Sequence, residues 1–408
     1  MSISKIESAY CRIFQAGMKF LVGTDIFNWK EPQLLEGPGS IRKLPELIKS
    51  KGIGNVLVVT DKGLTGLGLL DGLYEELEKA GVKYTVFDGV QPNPTIDNIE
   101  DCKDEYFRHS CEAIIAFGGG SPMDCAKIAG ARVTNPSVPV IKMRGLLKVR
   151  KPLPPLFAVP TTAGTGSEVT LAAVFSNPST HEKCPATDPK LRPGYAVLDP
   201  ELTVGLPPHI TSTTGMDALT HAVEAYIGRC NVGNTEEYAK KAVSLIFGNI
   251  KAAYDDGKNI EARGNMLKAS YYAGMAFTRA YVGYVHAIGH NIGGVYNVPH
   301  GLAMSVILPY VLDYYGIYAY DRLADLADVA GLETAGLSTA AKAQLFVSKI
   351  RELNKEMNIP EHIDGILEKD ISTIAQRALK EGNPQYPVPR LMGFDECIEL
   401  IKRIGNIQ

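Results

Sequence analysis

The sequence predicts two domains of different class, an α/β domain with a parallel sheet followed by an all-helical domain. At 408 residues the chain exceeds the usual size of one domain. Between about residues 50 and 200, short β-branched runs alternate with helical stretches, which is typical of a parallel sheet. After about residue 205 apolar residues recur mainly at helical spacing. We therefore place the domains at 1–204 and 205–408, divided within LDPELTVGLPPH (198–209), where proline and glycine interrupt the pattern.

The elements of the first domain follow one another as strand and helix. The expected strands are NVLVVTD (55–61), KYTVFDGV (83–90), EAIIAFGGG (112–120) and PLFAVPTT (155–162). The expected helices are LTGLGLLDGLYEELEKAG (64–81) and MDCAKIAGARVTN (123–135). Ligands of such sheets bind at the carboxyl ends of the strands, so the segments directly after the strands are the candidates for chemistry.

Composition excludes several classes of partner. The formal net charge is −3 and the sequence pI is about 6.3, which does not favour nucleic acid as a partner. No run of 18 apolar residues is present, and the first residues lack the apolar segment of a secretory signal. The seven cysteines are scattered and never form a CxxC pair, which indicates reduced thiols and a cytoplasmic protein.

Two loops after strands have the composition of phosphate-binding segments. In FGGGSPMDCAK (117–127) a glycine run precedes a helix, whose free N–H groups and positive dipole end favour an anion. Pro122 suits the first turn of that helix. PTTAGTGSEVT (160–170) is rich in hydroxyl groups that can bind phosphate or ribose oxygens. Either loop alone could be a tight turn, but two of them favour a ligand with a pyrophosphate and a Rossmann-like domain.

An acidic residue at a strand end indicates which dinucleotide is bound. Asp61 ends NVLVVTD, where a carboxylate can accept both ribose hydroxyls and would repel a 2′-phosphate. This predicts NAD over NADP. Asp88 occupies a comparable position in YTVFDGV, and Asp61 could simply cap the next helix. Spacing favours Asp61.

Three of the eight histidines lie within HAIGHNIGGVYNVPH (286–300). His286 and His290 are four residues apart and share one face of a helix. We expect the glycines at 293 and 294 and the proline at 299 to end this helix, so that His300 returns over the same space. A single buried histidine is usually a hydrogen-bonded core residue, but three so close together would be costly to bury without partners.

A second helix adds donors of the same kind. TSTTGMDALTHAVEAYIG (211–228) places Asp217 and His221 four residues apart among apolar residues. They could form a plain intrahelical hydrogen bond. With the histidine cluster they can instead complete a site with one oxygen and three nitrogen ligands, which suits Fe(II), Zn(II), Co(II) or Mn(II). A metal beside a dinucleotide predicts hydride transfer between substrate C1 and nicotinamide C4, with the substrate oxygen on the metal.

Four segments together resemble the iron-containing (group III) alcohol dehydrogenases. They are GGGSPMDCAK, PTTAGTGSEVT, GMDALTHAVEAY and HAIGHNIGGVYNVPHGLAMSVILPYVL, and the resemblance extends from about residue 28 to the end. It implies a dinucleotide-binding domain and a helical metal-binding domain, in an architecture like that of dehydroquinate synthase. It also implies that Asp217, His221, His286 and His300 are the metal ligands. His290 would be a nearby imidazole that relays a proton, and Phe277 would line the substrate pocket.

The same resemblance implies which residues contact the cofactor. Gly119, Gly120 and Ser121 would bind the pyrophosphate. Asp61 would select NAD, a match that strengthens its choice over Asp88. The remaining positions that the resemblance implies would lie beside the nicotinamide half of the cofactor or elsewhere along it. They are Asn93, Asp124, Thr161, Thr162, Thr165 and Lys183.

Three features depart from the family pattern. About twenty residues (1–24) precede its usual start, and we expect an amphipathic helix that serves as an oligomer contact. Arg279 stands just before the first ligand histidine, where it is either a surface residue, as we prefer, or a group that favours an acidic substrate. The proline-rich stretch NPQYPVPRL (383–391) has no assigned function.

The expected protein is a cytoplasmic, NAD-linked, metal-dependent alcohol dehydrogenase or aldehyde reductase for small primary alcohols or diols. The expected metal is Fe(II), with Zn(II) as the other occupant of the same site, and the resemblance implies a homodimer or larger homo-oligomer. The alternative is a dehydroquinate synthase-like or glycerol dehydrogenase-like protein that uses NAD and zinc. The apolar surroundings of the histidines and the complete Asp-His-His-His set argue against it. A non-catalytic cofactor-binding scaffold is a third possibility, which any measurable turnover would exclude.

Overall fold

The computed structural model describes residues 3–24, 29–179 and 182–407. It divides into two compact units, Asn28–Gly205 and a second unit formed by Met1–Phe27 with Leu206–Gln408. The chain begins with helix α1 (Lys5–Val22), which belongs to the second unit. No helix among the described residues has the length and apolarity needed to cross a membrane.

The first unit is an α/β layer structure. Its strands are β1 (Gln33–Glu36), β2 (Asn55–Val59), β3 (Lys83–Phe87), β4 (Ala113–Gly118), β5 (Gly145–Leu146), β6 (Leu156–Pro160), β7 (Ala172–Asn177), β8 (Glu182–Thr187) and β9 (Tyr195–Leu198). Its helices are α2 (Leu44–Ser50), α3 (Lys62–Gly66), α4 (Asp71–Ala80), α5 (Ile96–Arg108) and α6 (Gly120–Thr134). Six strands form one sheet in the order β1-β9-β6-β4-β2-β3, and every described pairing in it is parallel. The predicted α/β fold with a parallel sheet is thus confirmed.

The sheet is buried on both faces, which explains its β-branched composition. Leu57, Val59 and Ile114 point into one apolar core, which also contains residues of α5 and α6. Val56 and Val58, which alternate with them along β2, point into the opposite core beside α2 and α4. The four expected strands are therefore present as β2, β3, β4 and β6, each ending before the last residues that we had included.

Two helix predictions in this unit were wrong in detail. The helix expected at 64–81 is divided into α3 and α4, with Gly68 between them at a φ of +67° in the left-handed region that favours glycine. The helix expected from residue 123 begins at Gly120, directly after the glycine run. Five further strands, β1, β5, β7, β8 and β9, were not predicted from the sequence.

The second unit is helical. After α1 it contains α7 (Pro208–Ile227), α8 (Thr235–Asp255), α9 (Ile260–Ala280), α10 (Tyr284–Tyr296), α11 (His300–Tyr315), α12 (Tyr320–Val329), α13 (Thr339–Glu356), α14 (Glu368–Gly382) and α15 (Phe394–Ile404). Helix α7 is apolar around most of its circumference and is buried along nearly all of its second half, as expected for the central helix of a bundle. The all-helical C-terminal fold is as the sequence predicts.

Helix α1 does not belong to the α/β domain in which residues 1–24 were placed. The guanidinium of Arg12 donates to the carbonyl oxygens of Val388 (2.7 Å) and Pro389 (3.0 Å). The amide of Gln15 donates to the carbonyls of Pro384 (3.2 Å) and Tyr386 (2.7 Å). The proline-rich stretch 383–391, which had no assigned function, is the surface on which α1 is held.

Candidate metal centre and cofactor-binding loops

Four side chains of the helical unit converge on one point. Asp217 and His221 are one turn apart on α7, His286 is on α10, and His300 is the first residue of α11. One donor atom from each lies within 4.8 Å of the others. This is the Asp-His-His-His set that the family resemblance implied.

The chain turns back between His286 and His300 later than the sequence suggested. We expected the glycines at 293 and 294 to end the helix, but α10 continues to Tyr296. It ends at Asn297, whose φ of 54° is left-handed, and Pro299 then precedes the first turn of α11. His300 is thereby brought back within 3.4 Å (Nε2) of Asp217 Oδ1.

The donor atoms are buried without hydrogen-bond partners. Asp217 Oδ1, His221 Nδ1 and His286 Nε2 are inaccessible to solvent and make no hydrogen bond within the described chain. Buried polar atoms in native proteins are nearly always satisfied, because leaving one unpaired costs about 1–3 kcal/mol. Unpaired donor atoms that point at a common centre therefore fit a metal ion, and one carboxylate with three imidazoles suits Fe(II) or Zn(II).

Burial keeps two of these candidate ligands, His221 and His286, in the neutral form that metals bind. It lowers the pKa of His221 to about 3 and that of His286 well below the usual value, so both imidazoles are neutral near pH 7. Burial alone would raise the pKa of Asp217, but the neighbouring His221 and His300 outweigh it and hold this pKa below its usual range. The set thus offers one carboxylate and free imidazole nitrogens without proton release.

Glu224 contacts one of the four candidate ligands and was not identified from the sequence. Its Oε2 lies 2.6 Å from His286 Nδ1, and its Oε1 accepts the backbone N–H of Val285 (2.8 Å). Because Nδ1–H is directed to the carboxylate, the Nε2 lone pair of His286 is left for the metal. The signal in the sequence is its position, two turns after Asp217 on the same face of an apolar helix.

His290 lies beside the ligand set and not in it. Its ring centroid is 5.6 Å from that of His286 and 5.2 Å from that of His300. His290 Nδ1 lies 2.7 Å from Glu381 Oε1, which also accepts the hydroxyl of Tyr386 (2.9 Å). The arrangement leaves the Nε2 atom of His290 available for a proton, with a carboxylate behind the ring.

Phe277 and Arg279 lie in the last turns of α9, shortly before α10. Phe277 stacks on the ring of His221 with centroids 4.1 Å apart, so it forms an apolar wall next to a ligand. Arg279 is in the last turn of α9 and is half-buried. It is therefore neither the exposed surface residue that we preferred nor one of the ligand cluster.

In the α/β unit, the two glycine- and hydroxyl-rich loops lie against each other. A Cβ on Gly120 would come within 3.1 Å of Thr165, and one on Gly119 within 3.4 Å of Thr162 Oγ1. Gly118, at a φ of +144°, leaves no room for a side chain because a Cβ would lie 2.7 Å from Pro122. The glycines are therefore required for the close approach of two loops as well as for any phosphate.

Other implied cofactor positions join the same edge of the sheet. The backbone N–H of Asn93, a residue with a left-handed φ of 56°, donates to Ser121 Oγ (3.2 Å). The N–H of Thr161 donates to the carbonyl of Gly118 (3.1 Å). Lys183 lies on β8, opposite Ser176 of β7. The structure thus brings Asn93, Ser121 and the threonine loop together at the carboxyl ends of β4 and β6.

Two acidic residues of this region have structural contacts. Asp124 Oδ1 accepts the hydroxyl of Ser167 (3.0 Å) and Oδ2 accepts the N–H of Val174 (2.9 Å). Asp61 caps α3, since its Oδ1 accepts the N–H groups of Gly63 (2.9 Å) and Leu64 (3.1 Å). Capping was the alternative left open for Asp61, and it does not exclude a second role for the other carboxylate oxygen.

A buried lysine fixes the threonine loop and was also missed. Lys127 Nζ, on α6, donates to Ser167 Oγ (2.9 Å), to Thr170 Oγ1 (3.1 Å) and to two backbone carbonyls. Burial lowers the pKa of Lys127 to about 8, and burial raises the pKa of its neighbour Glu168 to about 7. A single lysine in the apolar stretch MDCAKIAGA was the available signal.

Comparison with known proteins agrees with both halves of this description. Residues 32–200 match the iron-containing alcohol dehydrogenase family, and residues 211–405 match the C-terminal part of the Fe-containing alcohol dehydrogenase family. The chain belongs to the iron-containing alcohol dehydrogenases. The family resemblance inferred from the four sequence segments is therefore confirmed.

Several members of the family are similar over nearly their whole length. The 1,3-propanediol dehydrogenase of Citrobacter freundii is 40% identical over 371 residues, which cover 90% of this chain and 95% of that protein. The NAD-dependent methanol dehydrogenase of Bacillus methanolicus is 35% identical, with coverages of 91% and 97%.

Solved structures of this family share the fold. An alcohol dehydrogenase from Oenococcus oeni has a TM-score of 0.88 at 37% identity, covering 92% of this chain and 99% of that one. A sulfoacetaldehyde reductase from Bifidobacterium kashiwanohense, solved in complex with NAD+, has a TM-score of 0.83 at 27% identity, with coverages of 93% and 99%.

Proposed function

We propose that this protein is an NAD-linked, iron-dependent alcohol dehydrogenase or aldehyde reductase that acts on small primary alcohols or diols. The observation that supports this most strongly is the convergence of four side chains whose donor atoms lie within 4.8 Å of one another, three of these side chains being buried with a polar atom that has no hydrogen-bond partner. Relatives named for propanediol and methanol, one of them also for NAD, support the cofactor and the substrate class.

The ligands would be Asp217, His221, His286 and His300. A divalent metal held by them supplies a Lewis acid that lowers the pKa of a substrate hydroxyl, and NAD accepts the hydride from the alcohol carbon. Glu224 holds the ring of His286 in the orientation that the site needs. Phe277 lies against His221 and excludes water from that side.

His290 would relay the proton of the substrate hydroxyl. Its Nε2 takes up the proton, and Glu381, hydrogen-bonded to Nδ1, stabilises the imidazolium that forms. Tyr386 donates to the same carboxylate oxygen and limits the rotation of that side chain. In the direction of aldehyde reduction the same pair returns the proton.

The cofactor would be bound by the two loops at the carboxyl ends of β4 and β6. Gly119, Gly120 and Ser121 would offer N–H groups at the start of α6 to the pyrophosphate. Thr161, Thr162, Thr165, Asn93 and Lys183 would line the remainder of the cofactor. Asp124 would act through Ser167, which it holds in place. Asp61 would disfavour a 2′-phosphate by charge.

We infer a cytoplasmic location because all seven cysteines are unpaired and buried, as expected in a reducing compartment. We also infer a homodimer or larger assembly, for which α1 supplies a candidate surface.

One experiment tests the activity and separates it from the dehydroquinate synthase-like alternative. Protein purified without oxygen is supplied with Fe(II) or Zn(II), and NADH formation is followed with methanol, ethanol, propanol and the propanediols. Net NADH formation with a diol or primary alcohol is expected, and a His290→Gln variant should retain the metal but lose turnover. Tight NAD binding with no net NADH from any alcohol would favour the lyase-like alternative.

A further inference from the structure

A short stretch of chain, residues 384–389, lies directly behind the pair formed by His290 and Glu381. Within it, Tyr386 donates its hydroxyl to Glu381 Oε1 (2.9 Å), the same oxygen that lies 2.7 Å from His290 Nδ1. The other oxygen of this carboxylate, Oε2, accepts the side-chain amide of Asn291 on α10 (3.2 Å). Tyr386 therefore holds the carboxylate from outside α10 and α14, the two helices that carry the pair.

The stretch 384–389 has few backbone hydrogen bonds with which to hold its own conformation. Three of its six residues are prolines, which have no N–H group to donate. The N–H of Tyr386 donates to the carbonyl of Gly382 (2.7 Å), and the N–H of Val388 donates to the carbonyl of Tyr386 (2.9 Å). The position of the Tyr386 ring therefore depends on donors from other parts of the chain.

Helix α1 supplies such donors. Together, the amide of Gln15 and the guanidinium of Arg12 donate to four carbonyl oxygens of the stretch, those of Pro384, Tyr386, Val388 and Pro389. Arg12 also donates to Gln15 Oε1 (2.8 Å), so the Nε2 group of the buried Gln15 is turned toward the carbonyls. Both family matches begin at residue 32 or later, so these two donors lie outside the matched segments.

We propose that α1 positions the proton relay of the active site. Gln15, oriented by Arg12, fixes the backbone of Tyr386, and the hydroxyl of Tyr386 fixes Glu381 behind the ring of His290. The proposal rests on the role of His290 in the proposed function. Gln15, Arg12 and Tyr386 are positioning residues, because they act on the relay only through hydrogen bonds to other groups of the chain.

The part of the stretch nearest the candidate metal ligands has an anchor of its own. Pro387 lines a small cavity together with Glu224, the carboxylate that contacts His286. The carbonyl of Pro387 accepts the backbone N–H of Arg229 (2.7 Å), which does not belong to α1. Loss of the donors of Gln15 is therefore expected to disturb the relay and to leave the metal ligands in place.

A double-mutant cycle in the full-length, Fe(II)-loaded protein tests the proposal. Gln15→Met keeps the length of the side chain but removes its amide, and Tyr386→Phe removes only the hydroxyl. Each should lower the rate of NADH formation in a single turnover about three- to tenfold, the loss expected when an acid–base group loses one orienting hydrogen bond. The double variant should be slower than Tyr386→Phe by less than about twofold, because both changes act on the same contact.

Further measurements separate positioning from a general loss of stability. The KM for the alcohol should stay within about twofold of the wild-type value, and the metal content should be unchanged. The matched control is Cys11→Ala, which truncates another buried side chain of α1 without removing an amide or guanidinium donor. It should lower the melting temperature and leave the rate unchanged. If near-UV circular dichroism shows that Gln15→Met does not fold, Gln15→Glu replaces it, since a carboxylate keeps the acceptor for Arg12 but cannot donate.

The possible outcomes distinguish this proposal from the proposed function. Losses of rate that multiply in the double variant, or an equal loss in Cys11→Ala, would show that α1 does not act through Tyr386 and would overturn the proposal. A wild-type rate in Gln15→Met, with His290→Gln inactive, would refute the positioning role alone and leave the proposed function standing. Absence of alcohol-dependent NADH formation in the wild type would remove the proposed function, and this proposal with it.

Discussion

The two halves of the chain use polar side chains in opposite ways. At the candidate metal centre, Asp217, His221 and His286 lie close together, and each has a buried polar atom without a hydrogen-bond partner. In the cofactor loops, the polar groups are largely satisfied by one another, as with Asp124 and Ser167 or Asn93 and Ser121. A site built to bind a cation keeps free donors on rigid helices. A site built to bind a phosphate keeps its side chains occupied and presents backbone N–H groups.

The largest effect is expected where an unpaired ligand is removed. His286→Ala should abolish metal retention and lower kcat/KM by at least about a thousandfold, because three ligands remain and Glu224 loses its partner. Elemental analysis and NADH formation on the same sample measure both. The matched control is His362→Ala, a histidine outside the cluster, which should keep both properties. Retention of stoichiometric metal by His286→Ala would show that the unpaired donor atoms of the helical unit are not what binds the metal.

In the α/β unit, the largest expected effect is on the free energy of unfolding and its dependence on pH. Glu168 is buried and its pKa is raised to about 7 by burial, so between pH 4.5 and 7 the folded state holds a proton that the unfolded state releases. The contribution of Glu168 to the free energy of unfolding is therefore fully present below pH 4.5 and is lost as the pH rises to 7.

Glu168→Gln removes this dependence. Relative to the wild type, the variant should gain up to about 3 kcal/mol in free energy of unfolding between pH 4.5 and 7. Urea unfolding of the full chain at several pH values measures the difference. A constant difference across this range would show that Glu168 is already ionised in the folded protein.

A smaller effect on metal binding is expected at Glu224, which contacts the candidate ligand His286 and not the metal itself. Glu224→Gln should weaken metal binding about 10- to 100-fold, because the amide holds the Nδ1–H of His286 less strongly than the carboxylate does. The Kd is measured by competition with a chelator. Glu381→Gln, which changes the carboxylate behind His290, is the matched control and should leave the Kd unchanged. Equal weakening by both variants would mean that the effect is general and not specific to His286.

The smallest effect is expected at Asp61. Asp61→Asn keeps a side chain that can cap α3 and removes the charge, so activity with NADP should rise about tenfold relative to NAD without loss of stability. The ratio of kcat/KM for the two cofactors is the measurement, and Asp88→Asn is the control. If only the Asp88 variant relaxes the preference, the selecting residue has been assigned to the wrong strand end.

The sequence predicted the fold well where one pattern dominates. Buried strands such as β2 and β4 are continuous apolar runs, and the helices after residue 205 have clear periodicity. The strands β7 (AAVFSN) and β8 (EKCPAT) were missed because both are short and only partly buried, and β8 contains two charged residues and a proline. Helix ends were misplaced where a glycine was expected to end the helix, as in α10, which continues through two glycines to Tyr296.

The candidate site could be predicted where residues of metal-binding type recur at short spacing in the sequence. Asp217 with His221, and His286 with His300, could be found in this way. Glu224, Lys127 and Glu381 were missed, because each acts through a partner distant in sequence and charged residues in helices are usually exposed. The position of α1 was likewise hidden, since it depends on carbonyl groups more than 360 residues away.

The most direct test of the account is the metal content of the wild-type protein, purified without oxygen and measured by elemental analysis before any addition. The predicted result is one Fe(II) per chain, with zinc able to take the same site, and loss of alcohol-dependent NADH formation when a chelator removes the metal. Full activity in protein shown to contain no metal would contradict the assignment of Asp217, His221, His286 and His300 as ligands.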